Sequence, residues 1–211
     1  FDARFFAPRI QALLDLLAVD GRTISDVADP RREKFRPDAC AAFDYIEISD
    51  IDGAGAATST RLASEDAPSR AIWHVRAGDI ITSTVRPIRR LSAQITPEQE
   101  GFVCSSGFVV VTPRDIAPEV LLTYLRLPVI CELLDLFASA SMYPAITDAD
   151  IFNLPLPNIP DAVADQVTQN VIAAKARAAS MLEAAKRAVE IAIEDGEPAA
   201  MAYLDQAKGA I

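Results

Sequence analysis

From Asp161 to Asp195 the chain contains no proline and no glycine, and alanine dominates the stretch. Without a turn residue and with strong helix formers throughout, such a run folds as one helix. Val167, Val171, Ala174, Ala178, Met181, Ala185, Ala188 and Ala192 alternate spacings of four and three, the mark of a heptad seam. Its thin alanine side chains allow a close helix approach. A second stripe, Ile172, Ala179, Leu182, Val189 and Ile193, widens the apolar face. A helix of about 30 residues is about 45 Å long, more than the rest of a chain this size can cover. It is therefore expected to project as a coiled-coil helix and to need a partner. Gly196 ends it, and Pro198 to Ala207 reads as a short terminal helix. The expected organisation is a domain over 1–160, the long helix over 161–195 and the terminal helix over 196–211.

The rest has ordinary globular composition: 211 residues, 51% hydrophobic and 24% charged. A chain this long buries roughly 70% of its unfolded surface without disulfide or metal staples. The apolar content excludes disorder as the main state. The longest apolar stretches fall well short of the ~20 residues of a membrane span, so no membrane role is expected. Phe1 to Ile10 mixes acid and base early and lacks the apolar core of a signal peptide. Cys40, Cys104 and Cys131 are an odd, scattered set, and His74 is the single histidine. A structural zinc site is not expected, and a reducing, cytoplasmic setting is.

The net charge is −10 and the pI about 4.6, which taken globally argues against a nucleic-acid binder. The distribution differs. Between Arg70 and Pro97 stand five arginines (Arg70, Arg76, Arg86, Arg89, Arg90) and one acid, Asp79. Between Asp115 and Asp165 stand eight acids and one base, Arg126. The total hides a locally basic stretch.

Pro8 to Ala18 reads as a helix, with Ile10, Leu13, Leu14 and Leu17 at helical spacing. Residues 23–42 read as a polar loop with at most one helical turn. Strands are expected at Phe43–Ile48, Ala71–Val75, Ile80–Val85, Phe102–Val103 and Phe108–Val111, separated by turns. Residues 117–138 return to helical spacing, broken at Pro128. Ser139 to Ala145 is a loop, and Thr147 caps a helix whose first turn carries Asp148 and Asp150. An extended segment, Leu154 to Pro160, closes the domain. The fold class is α+β: a compact, mostly antiparallel β domain with flanking helices, followed by the long helix.

No phosphate loop, dinucleotide fingerprint or HExxH is present. His74 sits in a strand beside Trp73 and reads as a packed residue. Asp79 reads as a turn aspartate capping its own backbone. Cys104 and Cys131 read as core thiols. No constellation supports catalysis, and no cofactor is expected. What remains are recognition features. Arg86, Arg89 and Arg90 crowd a proline-containing turn, which is either a solvated turn or a basic surface. Ser105-Ser106-Gly107 breaks a strand, either as a β-bulge or as a small hydroxyl-bearing approach to phosphate or base edges. Tyr143, next to Pro144, either stacks or packs.

Five stretches, in order, resemble the target-recognition domain of the specificity subunit of type I restriction-modification systems. Phe1 to Pro8 is similar to the family's aromatic opening before a leucine-rich helix. Tyr45 to Ile51 is similar to its first core strand. The strongest match is Ser69-Arg-Ala71 through Val75-Arg-Ala-Gly-Asp-Ile-Ile-Thr-Ser-Thr-Val-Arg-Pro87. Phe102 to Pro113 resembles the strand that follows, and Pro144–Ile146 with Leu154–Pro157 resembles the closing stretch. The alanine-rich helix stands where the family has a spacer helix. Two motifs depart: Asp165-Gln166 stands for the usual Glu-Gln, and Ser141-Met-Tyr143 lacks the expected glycine. The typical subunit has two recognition domains and two helices. One of each points to a half-size subunit, a fragment, or the C-terminal module of a fused N6-adenine methyltransferase, and the absent initiator Met favours the last two.

The resemblance implies a non-catalytic specificity component that reads double-stranded DNA. Its partners would be a methyltransferase subunit or domain and, through the long helix, a second recognition domain or a second copy. Arg70, Arg86, Arg89, Arg90, Ser105, Ser106 and Tyr143 are the candidate DNA contacts. The competing bland role for Arg86 is an internal pair with Asp79 or Glu47. The alternative function is a protein-interaction module or a DNA mimic that uses the acidic face and the coil.

Overall fold

The computed structural model describes residues 6–138 and 145–210. They fall into two compact units, divided between Pro160 and Asp161. The first contains, in chain order, α1 (Pro8–Leu17), β1 (Ala28–Pro30), β2 (Ala42–Ile46), β3 (Thr60–Ala63), β4 (Ala71–His74), β5 (Ile80–Ser83), β6 (Ser92–Gln94), β7 (Val103–Ser105), β8 (Phe108–Pro113), α2 (Pro118–Leu125), α3 (Pro128–Phe137) and α4 (Asp148–Phe152). The second contains α5 (Asp161–Glu194) and α6 (Glu197–Ala210).

The strands form two four-stranded sheets, in the orders β1-β8-β5-β6 and β3-β2-β7-β4. All pairings are antiparallel except β2 with β7. Alternation along the strands sorts the core into layers. Ile80, Val109 and Val111 turn to one side and pack with α1–α4 and the closing residues Leu154 and Leu156. Ile81, Phe108 and Val110 turn the other way and meet Ile46, Val75 and Cys104 between the sheets. Phe43, Tyr45 and Val103 on the far face of the second sheet are covered by Phe35. The order is therefore helices, first sheet, second sheet, and a strap of the chain.

That strap is where the expected loop over 23–42 needs correction. It carries a 3₁₀ turn at Ile24–Asp26, edge strand β1, a second 3₁₀ turn at Pro37–Ala39, and a run paired with β4 through Phe35 N–H to Ile72 O at 2.8 Å and His74 N–H to Glu33 O at 2.8 Å. Strands β3 and β6 were also not expected, and the strand expected over 80–85 ends at Ser83. The break at Pro128 falls between α2 and α3, as expected. Thr147 caps α4 reciprocally: its hydroxyl accepts from Asp150 N–H, while its own N–H donates to Asp150 Oδ2 at 2.7 Å.

Asp79 ties the layers together. Its carboxylate, 1% exposed, accepts from Arg31 Nε at 2.6 Å and Nη2 at 3.2 Å, from Thr112 Oγ1 at 2.7 Å, and from the Arg76 N–H at 2.8 Å. The last bond is the turn cap the sequence implied. The Arg31 pair, from 48 residues away, was not foreseen.

In the second unit, α5 spans 34 residues, about 50 Å of helix. Gly196, at φ +89°, ends it, and α6 folds back. Ser180, Glu183, Ala184 and Arg187 share a shallow groove with Tyr203, Gln206 and Ala207, so α6 runs antiparallel along one flank. At about 100° per residue, that flank is adjacent to the predicted seam and not on it. The terminal helix is thus longer than the expected 198–207 and leaves the seam open. Ala188 is the buried seam residue; Val167 and Val171 are half-buried, and Ala174, Ala178, Met181 and Ala185 are exposed. The second stripe is open too, with Ile172, Leu182, Val189 and Ile193 between 55% and 81% exposed.

Candidate nucleic-acid interface

The chain after β5 makes the site. Thr84 is fixed first: its N–H and its hydroxyl both donate to Gly107 O, at 2.9 and 3.0 Å, and its carbonyl accepts from Ile146 N–H at 2.9 Å. A 3₁₀ turn over Pro87–Arg89 follows, flanked by Arg86 at φ 50° and Arg90 at φ 57°. Both are left-handed, a conformation that costs a residue with a Cβ about 1–2 kcal/mol. Among the described residues no other non-glycine residue has positive φ. The turn holds because Pro87 is buried and α3 packs on it, while Arg86, Ile88, Arg89 and Arg90 remain exposed. Paired strain of this kind collects at functional surfaces.

The Ser105–Gly107 turn lies against this segment through Thr84, and Ser106 N–H donates to Arg70 O at 2.7 Å. One hydrogen-bonded set of loops therefore carries Arg70, Ser106 and the Arg86–Arg90 turn. Ser105 has to be withdrawn from the candidate contacts. It is 3% exposed, because the β7 register pairs it with Ala71 and turns its side chain inward. Its hydroxyl accepts from Gly107 N–H at 3.2 Å, and it lies close enough to the Tyr45 phenol to lower in part a pKa that burial raises. Ser105→Ala is expected to cost about 1 kcal/mol, lowering the melting temperature by roughly 2–4 °C. Ser106→Ala, on the exposed side of the same turn, should leave it unchanged. Tyr143 lies outside the described residues.

Apart from Arg22, Arg36 and Arg126, which make no ion pair and stand outside the basic stretch, the described arginines of the first unit are of two kinds. Arg9, Arg31, Arg32, Arg61, Arg76 and Arg114 are each paired with a carboxylate. Arg76, inside the basic stretch, bonds Glu33 and also Glu100 at 3.0 Å, and both bonds raise its pKa. The Ala77 N–H and then Arg76 hold the Glu100 carboxyl below its usual range. Arg70, Arg86, Arg89 and Arg90 are exposed and make no ion pair among the described residues. The internal pair considered for Arg86 does not form: Asp79 is taken by Arg31, and Glu47 makes no ion pair with Arg86. Because the one acid of the basic stretch is neutralised from outside it, four positive charges face solvent unopposed.

The remaining chemistry is structural. His74 is half-buried, with Nδ1 3.2 Å from Gly101 O and its ring edge-on to Phe35. Burial raises the Cys104 thiol strongly and pushes Cys131 up to about 11, so neither is a ready nucleophile. Among the described residues no group of three or more His, Cys, Asp or Glu side chains is placed to hold a metal ion. No helix there is long and apolar enough to cross a membrane.

No family model and no curated protein matches the sequence. Solved structures do. The HsdS subunit from Thermoanaerobacter tengcongensis superposes with a TM-score of 0.61 at 28% identity, over 82% of this chain and 45% of that one. A chain from a structural study of complex assembly and conformational transition in the type I R-M system gives 0.60 at 29% identity, with the same coverage. This chain spans a little under half the length of either. In both fold and sequence, the protein is similar to the specificity subunits of type I restriction-modification systems.

Proposed function

We propose that this chain recognises double-stranded DNA for a type I restriction-modification system and carries no catalytic group of its own. The observation that supports this most is the coincidence of two independent facts. The fold is that of a specificity subunit, and four exposed arginines without carboxylate partners, Arg70, Arg86, Arg89 and Arg90, lie in or just after the segment that best matches that family. The partner enzyme would be an N6-adenine methyltransferase subunit or domain. Arg70, Arg86, Arg89, Arg90 and Ser106 would lie on the duplex, with the two sheets as the rigid support behind them. The open face of α5 would pair with a second long helix, either of another recognition domain or of a second copy, and so set the distance between two recognition sites.

Arg86→Ala is the first test, read by DNA binding across a salt series. A phosphate contact predicts weaker binding to every duplex and a salt slope shallower by about one unit. A base contact predicts a loss of about 1–3 kcal/mol confined to one sequence. Ser105→Ala should bind as the parent does. Binding that ignores Arg86 and Arg89 together would favour the acidic reading, in which the net charge of −10 serves a protein partner.

A further inference from the structure

Arg126 joins two loops that no strand connects. It follows α2, just before the break at Pro128, and is half-buried. Its guanidinium pairs with no carboxylate. Instead Nη1 donates to Arg90 O and to Ser92 O, both at 2.8 Å, and Nη2 donates to Gly53 O at 2.5 Å. The first two carbonyls close the left-handed end of the arginine turn. The third belongs to a loop organised by Asp52, whose Oδ1 accepts from Ala54 N–H at 2.8 Å and Ala56 N–H at 2.9 Å. Gly55, at φ +89°, sits against the fork: a Cβ there would stand 3.2 Å from Cζ, Nε and Nη1 of Arg126. Burial and the neighbouring Arg90 charge lower the Arg126 pKa, yet a guanidinium stays charged.

A planar fork with five donors can span three carbonyls; a lysine ammonium, a point donor on a flexible stem, cannot hold the same set. Three carbonyls held by one cation fix the backbone of 90–92 relative to 53–55. The strained turn over 86–90 then has its far end anchored, as Thr84 anchors its near end. Arg126 is also the single base of the acidic stretch over 115–165, so ion pairing was open to it and is not what it does.

We infer that Arg126 is a positioning residue: it touches no DNA itself, and it holds the Arg86–Arg90 turn in the shape that presents its guanidinium groups to the duplex, an inference that rests on the DNA-recognition role proposed above. The geometry separates two effects that a charge deletion alone would merge. If Arg126 acted by its charge, lysine would replace it. If it acts by spanning three carbonyls, lysine fails almost as glutamine does.

The experiment uses the whole chain and a labelled duplex of mixed sequence at low salt, where non-specific binding is strongest. Binding is read by anisotropy and backbone mobility by amide hydrogen exchange. Arg126→Gln and Arg126→Lys are both expected to speed exchange over 86–92 while β5 and β8 stay protected, and to weaken binding about tenfold. Gly55→Ala changes no charge and displaces the fork from its other side. It should loosen the same segment and weaken binding in the same direction, which keeps the test open should Arg126→Gln fail to fold. Parent-like binding by Arg126→Lys would overturn the inference, as would a loosened turn with unchanged affinity while Arg86→Ala still weakens binding. In either case the DNA-recognition role stands and only the positioning falls. A parent chain that holds no duplex at all would overturn both.

Discussion

Asp79→Ala should lower the stability of the first unit by about 3 kcal/mol, the lower end of what removing one partner of a buried pair costs. For a unit of this size that is roughly 6–12 °C in melting temperature. The carboxylate satisfies the Arg31 guanidinium, the Thr112 hydroxyl and the Arg76 N–H at once, and its loss leaves all three to find new partners. Arg31 is 25% exposed and can turn to water, which keeps the cost from rising further. Asp79→Asn preserves the shape and part of the hydrogen bonding, so it should cost about half as much. Thermal unfolding followed by circular dichroism decides this, and an Asp79→Ala variant that melts with the parent would remove the carboxylate from its structural role.

The second large effect concerns α5. Leu182, Val189 and Ile193 form a continuous exposed stripe beside an open alanine seam, and apolar faces of this length are covered in solution. Burying each such side chain stabilises by about 1.5–3 kcal/mol. Leu182→Glu combined with Val189→Glu should therefore weaken helix pairing by 100-fold or more, about 3 kcal/mol at the least. Light scattering reads the result as a fall in apparent mass at concentrations where the parent is associated. Met181→Glu, on the seam itself, should act in the same direction. A parent and variants that all scatter as the same monomer would mean that the stripe has no helical partner.

The long helix, the break at Pro128, the cap at Thr147 and the stop at Gly196 were all legible because each is a local signal, decided within one or two turns of chain. The strands that escaped notice share a position: β1, β3 and β6 are all sheet edges. An edge strand is short and need not alternate, since one side of its backbone has no ladder to serve; β1 even carries Pro30. The site was half legible. Charge segregation picked out the segment that carries Arg70, Arg86, Arg89 and Arg90, exposed and without ion pairs, but it counted Arg76 with the rest. Only the fold reveals that Arg76 is spent on Glu33 and Glu100 and that Asp79 is spent on Arg31. Ser105 and Ser106 are equivalent in sequence, and a one-residue choice of register sends one inward and the other to solvent. Arg126 gave no sequence signal beyond its isolation among acids, because its partners are backbone carbonyls and any residue can supply those.

The role proposed for this chain is to choose a DNA sequence for a partner enzyme. The test expresses it with the methyltransferase subunit of a type I restriction-modification system and maps modified adenines across plasmid DNA by single-molecule sequencing. The expected result is methylation at one short motif that disappears without this chain and is lost or relaxed when Arg86, Arg89 and Arg90 are changed together to alanine in a protein that still folds and assembles. The same motif, methylated to the same extent with the chain absent or with its arginine turn removed, would contradict it.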